Sequence, residues 1–305
     1  MLGSNKKYDP SEDRQVFEKF SFKIHCCRYW KLSDWECTDM AIPFWRIYYN
    51  KIEGARIIFN NTEFSVTQDK IIIIPPNTSY SNTLRGKPGT TDHTEKIMGS
   101  MITHEDTLEK IRDMHMVDHL FIHFNLGIPY DLVNPGIYEV DASPDFKQTL
   151  EAITAECIDL KIGSFSSHFK IISLITGLLI RLPENIWIQT NIDSRIKNVV
   201  THISKNFDKN LQNNELSKIS NLATNSFARL FKSNLGESVQ SFIKKVRIEN
   251  ALLLMHHSNL SIDTISFRCG FSDRYHFTKS FKQVVGISPA AYKKMKIYRF
   301  SNDSD

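Results

Sequence analysis

The chain has 305 residues, of which 41% are hydrophobic and 24% charged, and its formal charge is +4. That length suits about two domains, and the composition is that of an ordinary globular protein. The first thirty residues hold no apolar signal segment, and the longest apolar run, 171–182, is too short to cross a bilayer. Five cysteines with no CxxC pair fit a reducing cytoplasm, not a disulfide scaffold.

Charge is unevenly placed. Residues 191–305 hold 18 Lys/Arg against 9 Asp/Glu, a formal +9, whereas residues 1–190 hold 20 against 25, or −5. A basic C-terminal part beside a mildly acidic N-terminal one predicts a polyanion partner for the former alone.

Residues 1–15 are polar and read as a frayed terminus. Alternation over Phe20–His25 predicts a strand, followed by short β-rich runs at Phe44–Tyr49, Ala55–Phe59, Glu63–Val66 and Lys70–Ile74 with turn residues between them. The last of these ends abruptly at Pro75-Pro76, and His119–Phe124 reads as a further strand. Many short strands predict a β-barrel or jelly roll. Residues 86–118 interrupt it with a Gly/Pro/Thr-rich stretch and a helix near Glu105–Met114, a lid, a binding loop or a disordered tip. Two helices follow, Asp145–Lys161 and a very apolar Ser166–Arg181, and Pro183-Glu184-Asn185 begins a linker.

The C-terminal third is organised around Gly270–Tyr292. Gly270 ends the amphipathic run Ile262–Cys269 in a left-handed turn, and Ser272 or Asp273 caps a helix over Arg274–Val284. Phe277, Phe281 and Val284 fall at i, i+4, i+7 and predict its buried stripe. Fifty positions upstream, Phe227, Arg229, Phe231, Lys232, Gly236, Ser238 and Phe242 repeat Phe277, Lys279, Phe281, Lys282, Gly286, Ser288 and Tyr292. The repeat makes two helix-turn-helix motifs joined by a long helix over Ser238–His256.

These residues resemble the DNA-binding domain of the AraC/XylS family of transcription regulators over about Ile192–Met295. Ser217 and Ser266 stand where that family has a tightly packed Ala, and Ala223 where a Ser usually caps the first recognition helix. The order Gly54, Ile71–Pro76, His119–Phe124 is similar to the cupin-type sensor domain of many members. The resemblance implies an α+β two-domain fold: a cupin-like, jelly-roll-like β-barrel sensor at 15–142, a helical pair at 143–183 for dimerisation, a linker at 184–192, and an all-α DNA-binding domain at 193–298. It places base-reading positions on Asn225, Ala228 and Arg229 in the first recognition helix, and on Tyr275, His276 and Lys279 in the second. By chemistry Arg229 and Lys279 suit guanine and Asn225 suits adenine, while Ala228 can touch only a thymine methyl. Lys232 and Lys282 suit phosphates, and Arg274 adds to the basic outer face.

Six histidines lie in the sensor part, but there is no HxH pair, and His119 and His123 at i, i+4 on a strand sit about 13 Å apart. Metal binding is therefore not expected, and no cofactor is. An aromatic-rich barrel with scattered polar groups suits a small polar ligand better. In sugar-sensing relatives the strand matching His119–Phe124 turns a His and an aromatic inwards, which His119 and Phe121 fit; Arg46 and Tyr80 are expected nearby. No GxSxG, HExxH or phosphate-loop motif occurs, nor does the four-Cys zinc site of DNA-repair proteins sharing the helical domain. The expectation is a cytoplasmic, non-enzymatic regulator that binds double-stranded DNA and a sugar-like effector, acts as a homodimer, contacts no membrane, and has RNA polymerase as a candidate partner. Two alternatives stand beside it. One is a regulator controlled by a protein partner or by abundance, and the other a cupin-type enzyme with an appended DNA-binding domain.

Overall fold

The computed structural model describes residues 22–84, 96–188, 192–285 and 287–295. The start expected to fray, the first residues of the expected Phe20–His25 strand, part of the 86–118 interruption, the centre of the expected linker and Gly286 lie outside them.

The sensor part is a curled antiparallel sheet whose strands run in the order β4-β3-β6-β1-β8-β2-β5-β9, with β7 also on β1. These are β1 Lys23–Ala41, β2 Trp45–Tyr49, β3 Ala55–Phe59, β4 Thr62–Val66, β5 Lys70–Ile74, β6 Ser79–Thr83, β7 Lys96–Met101, β8 Val117–Asn125 and β9 Tyr138–Asp141. β1 is a 19-residue strand where alternation predicts only its beginning. It pairs with β8 over Lys23–Leu32, with β7 over Trp30–Glu36 and with β6 over Cys37–Ala41. Register shifts between Ile24 and Cys26, Leu32 and Asp34, and Cys37 and Met40 let this one strand bend from one wall of the barrel to the next. Those irregularities, with Lys31, Asp34 and Glu36 between the aromatics, hide the period of two. In the predicted 86–118 interruption a helix, α1, spans only Leu108–Asp113, capped by Thr107.

The helical pair is α2 Pro144–Ile158 and α3 Phe165–Leu179, capped by Ser143 and Ser164. Leu174, Ile175 and Leu178 join the barrel core, while Phe165, Phe169 and Ile180 face out. Leu178, on the apolar helix of the pair expected to dimerise, is 0% exposed and belongs to the barrel core.

The helical domain comprises α4 Ser194–Asn206, α5 Asn213–Ile219, α6 Thr224–Leu235, α7 Val239–His257, α8 Ile262–Arg268, α9 Arg274–Val285 and α10 Pro289–Met295. It has two cores. Val239, Phe242, Ile243 and Val246 of α7 pack with Phe227 and Phe231 in one, and Ile248, Ala251, Leu252 and Met255 pack with Phe277 and Phe281 in the other. Val284 departs from the expected stripe: it is 45% exposed, because the second core closes with Val285 and Tyr292 instead.

Candidate nucleic-acid interface and candidate ligand cavity

Each helix-turn-helix is set by its turn. After α8 the Gly270 amide donates to Phe267 O (3.0 Å) and the Phe271 amide to Ser266 O (3.2 Å), with Gly270 at φ +75°. That is a Schellman ending, which satisfies the last carbonyls of α8. After α5 the Asn221 amide donates to Lys218 O and the Leu222 amide to Ser217 O, both 3.2 Å, with Asn221 at φ +52°. Asn tolerates this left-handed position better than other residues with a Cβ. The first helices and turns of the two motifs are thus offset by 49 positions, whereas the recognition helices α6 and α9 are offset by 50. The second turn carries one more residue, and Asp273 uses it: its Oδ1 accepts the His276 amide at 2.7 Å, capping α9. Ala223, at the start of α6, supplies no side-chain cap. Ser217 and Ser266 are buried with their hydroxyls turned to backbone, Ser217 donating to Asn214 O at 3.0 Å.

On the outer faces Asn225, Arg229 and Lys232 of α6 and Arg274, Tyr275, His276, Lys279 and Lys282 of α9 are all exposed. Arg274 pairs with Asp263 at 3.2 Å, which holds it at the side of α9. Ala228 is half-buried. The surface so formed offers three lysines, two arginines, a tyrosine, a histidine and an asparagine on paired helix faces, the donor set for phosphate and base-edge contacts.

The second site is a cavity of about 50 Å³ inside the barrel, walled by Trp30, Trp35, Tyr48, Tyr80, His119 and Phe121 among others and reached by His256 of α7. His119 Nδ1 meets Asn50 Oδ1 at 2.7 Å, and burial pushes its imidazole down to about 3, so it is neutral there. The Phe121 ring stands between His119 and His123, with centroids 5.7 and 5.4 Å away. The Tyr48 and Tyr80 hydroxyls share a 2.9 Å hydrogen bond. Arg46 lies two residues before Tyr48 on β2, opposite His123 on β8. Its guanidinium is 0% exposed, stacks 4.5 Å over Tyr80 and donates from Nη2 to Thr78 O at 3.3 Å. Nε and Nη1 of Arg46 find no partner among the described residues. A buried cation so poorly partnered is costly and calls for an acceptor.

A second, larger cavity of about 400 Å³ opens between the sensor and the helical domain, lined by Lys23, His25, Phe207, Asn250, Leu253, Leu254, His257 and Arg268.

Comparison with known proteins matches a helix-turn-helix domain family to residues 216–295. The transcriptional activator RhaS of Klebsiella pneumoniae (strain 342) is 30% identical over 100 residues, 33% of this chain and 36% of that protein. The arabinose operon regulatory protein of Escherichia coli (strain K12) is 29% identical over 130 residues, 42% of this chain and 44% of its own length. The helical region is an AraC/XylS-type domain. In both relatives the match spans less than half of the protein's length. ToxT of Vibrio cholerae O395, a solved structure, aligns with 90% of the chain and 98% of its own at 14% identity and a TM-score of 0.48.

Of the four residues expected at the ligand site, Tyr80, His119 and Phe121 line the barrel cavity and Arg46 packs on its wall. Sequence reasoning passes over His256, which reaches the cavity from the AraC/XylS-type domain. Among the described residues no helix is long and apolar enough to cross a membrane.

Proposed function

We propose that the chain is a ligand-responsive, sequence-specific DNA-binding transcription regulator that acts by binding, without a catalytic step. The observation that carries the reading is the position of His256. It sits on α7, the helix shared by both helix-turn-helix cores, and it also lines the sensor cavity. Its Nε2 meets the Tyr292 hydroxyl at 2.6 Å, and its ring packs edge-on against Phe44 of the sensor at 5.6 Å. An effector that displaces this ring changes the seating of the helix both motifs share. The shift in population equals the difference in the effector's affinity between the two seatings.

The effector proposed is a sugar or sugar derivative held against His119 and Phe121, with an oxygen on the free nitrogens of Arg46. The cavity of about 50 Å³ is smaller than the roughly 150 Å³ that accepts benzene in an engineered core, so a pyranose is admitted only as the His256 side moves away. That requirement couples occupancy to the DNA-binding part. A second reading follows from the larger cleft: Lys23 and Arg268 above Leu253 and Leu254 suit an acidic molecule with an apolar body.

The test is a thermal-shift screen of the full chain against neutral sugars, sugar acids and longer carboxylates. A ligand at a hundred times its dissociation constant adds about 2.7 kcal/mol. His119→Ala should remove a response to sugars and sugar acids, and Arg268→Ala a response to longer carboxylates. A selection for bound duplexes from a random pool tests the DNA side; failure to enrich any sequence overturns that part. No stabilisation by any of the three classes leaves control by a protein partner or by abundance, with the homodimer and RNA polymerase as the contacts to test.

A further inference from the structure

Cys26, His123 and His257 are scattered through the chain, yet their Sγ and ring nitrogens lie within 4.8 Å of one another. Cys26 and His123 are directly opposed on β1 and β8, beside the register shift at Ile24/Cys26. Directly opposed residues of an antiparallel pair hold their Cβ atoms about 4.5–5.5 Å apart and so present their side chains together. His257 is the last residue of α7 and comes from the DNA-binding part. Ring contacts across to the barrel fix its place: Phe44 at 5.6 Å, His123 at 5.3 Å, and His25 stacked at 6.0 Å with 13° between planes. His25 is held apart from the group by its own bond from Nε2 to Asn125 Oδ1, 2.7 Å.

A thiolate and two imidazoles are the donors preferred by zinc, which uses three protein ligands and an open fourth position in reactive or adaptable sites. With bonds of about 2.3 Å to sulfur and 2.0–2.1 Å to nitrogen, ligand atoms on a tetrahedral zinc stand about 3.3–3.6 Å apart. The observed cluster is wider by about an ångström, a distance that rotation of Cys26 and His257 about their side-chain bonds can close.

We propose that Cys26, His123 and His257 form a zinc site that fastens the sensor barrel to the end of α7. Two ligands come from the barrel and one from the DNA-binding part, so the ion binds well only when the two are seated as they are here. By reciprocity, zinc strengthens that seating by the same factor. His123 also lines the barrel cavity, so metal and effector meet at a single ring. Binding releases the thiol proton of Cys26 and leaves both imidazoles neutral.

The test uses the full chain, stripped with a chelator and titrated with Co²⁺ alone. One equivalent should give visible bands of a tetrahedral ion and a near-ultraviolet thiolate band, both displaced by Zn²⁺. Cys26→Ser should abolish the thiolate band, while Cys269→Ser, in the helical core around Phe277 and Phe281, keeps it. His257→Gln should weaken Co²⁺ binding by more than the roughly 10–100-fold that loss of an outer partner costs. Alkylation of the unaltered chain covers the case of a variant that does not fold: Zn²⁺ should protect Cys26 and not Cys157. A thiolate band that survives Cys26→Ser, wild-type Co²⁺ affinity in His257→Gln, or alkylation of Cys26 unaffected by Zn²⁺ overturns the proposal.

Discussion

Gly270 and Gly236 share a backbone conformation, φ +75° and +76°, but not a neighbourhood. A Cβ at Gly236 meets nothing within 4 Å. At Gly270 it would stand 2.5 Å from the carbonyl oxygen of Asp208 and 2.7 Å from its Cα, and backbone atoms cannot rotate aside. That stretch is itself held by Arg247 of α7, whose Nε and Nη2 donate to Phe207 O and Lys209 O at 2.7 Å each. Gly270 is thus the seam where the second motif's turn abuts the loop leaving α4. Gly236→Ala should cost only the left-handed penalty, about 1–2 kcal/mol. Gly270→Ala adds overpacking of about 1–3 kcal/mol, for a total of roughly 2–5 kcal/mol, a large share of a domain's 5–15. Amide hydrogen exchange on the full chain reads the difference directly: α8 and α9 should open more in Gly270→Ala, while Gly236→Ala leaves them protected. Equal exchange in the two variants, or equal urea midpoints, would refute the contact with Asp208 as the reason for glycine here.

Three further outcomes are expected. Lys279→Ala or Arg229→Ala should cost about 1–3 kcal/mol on a selected duplex and relax preference at particular base pairs, whereas Lys282→Ala should weaken all duplexes alike and lower the salt slope by about one; a filter-binding series in sodium chloride checks both. Burial lowers His119 to about 3 and His25 to about 4, below the unfolded value of 6.5, so folding favours the neutral rings. Their stabilisation is complete above pH 6.5 and falls as pH drops from there, by about 2 kcal/mol each at pH 5; denaturant midpoints at pH 7 and 5 should differ less in His119→Gln, and an unchanged difference sinks the assignment. Phe169, 71% exposed on α3 in line with Phe165, is offered as a dimer contact, so Phe169→Glu should give a folded monomer by light scattering; a wild-type chain monomeric at micromolar concentration rules this out.

The helical domain was legible because its signals are local. Caps, a glycine at a helix end and a phenylalanine repeat each act within a turn or two, and α7, α8 and α9 lie within about a residue of where the sequence puts them. The extra residue in the second turn was not legible, since the repeat was counted on the recognition helices and the offset of 49 precedes them. In the sensor, β2 to β5 and β8 follow alternation and turn residues, while most of β1 was lost because a strand shared between walls changes which face is buried at every shift. His119 and Phe121 were named from one strand's resemblance to that of sugar-sensing relatives, with Arg46 and Tyr80 expected nearby, yet the closing of their cavity by His256, and the meeting of Cys26 with His257, are tertiary facts. A histidine doublet at the end of a helix reads locally as favourable charge at the negative end of its dipole.

The dual service of α7 bears on how proteins of this architecture diversify. A helix that spans two DNA-binding cores and also seats His256, His257 and Leu253 against Phe44 has little freedom to change one surface alone. Grafting another sensor onto this helical domain would leave those side chains facing foreign neighbours. Joined halves should therefore fold and bind DNA yet lose responsiveness until the contacts around Phe44 are carried across with the barrel.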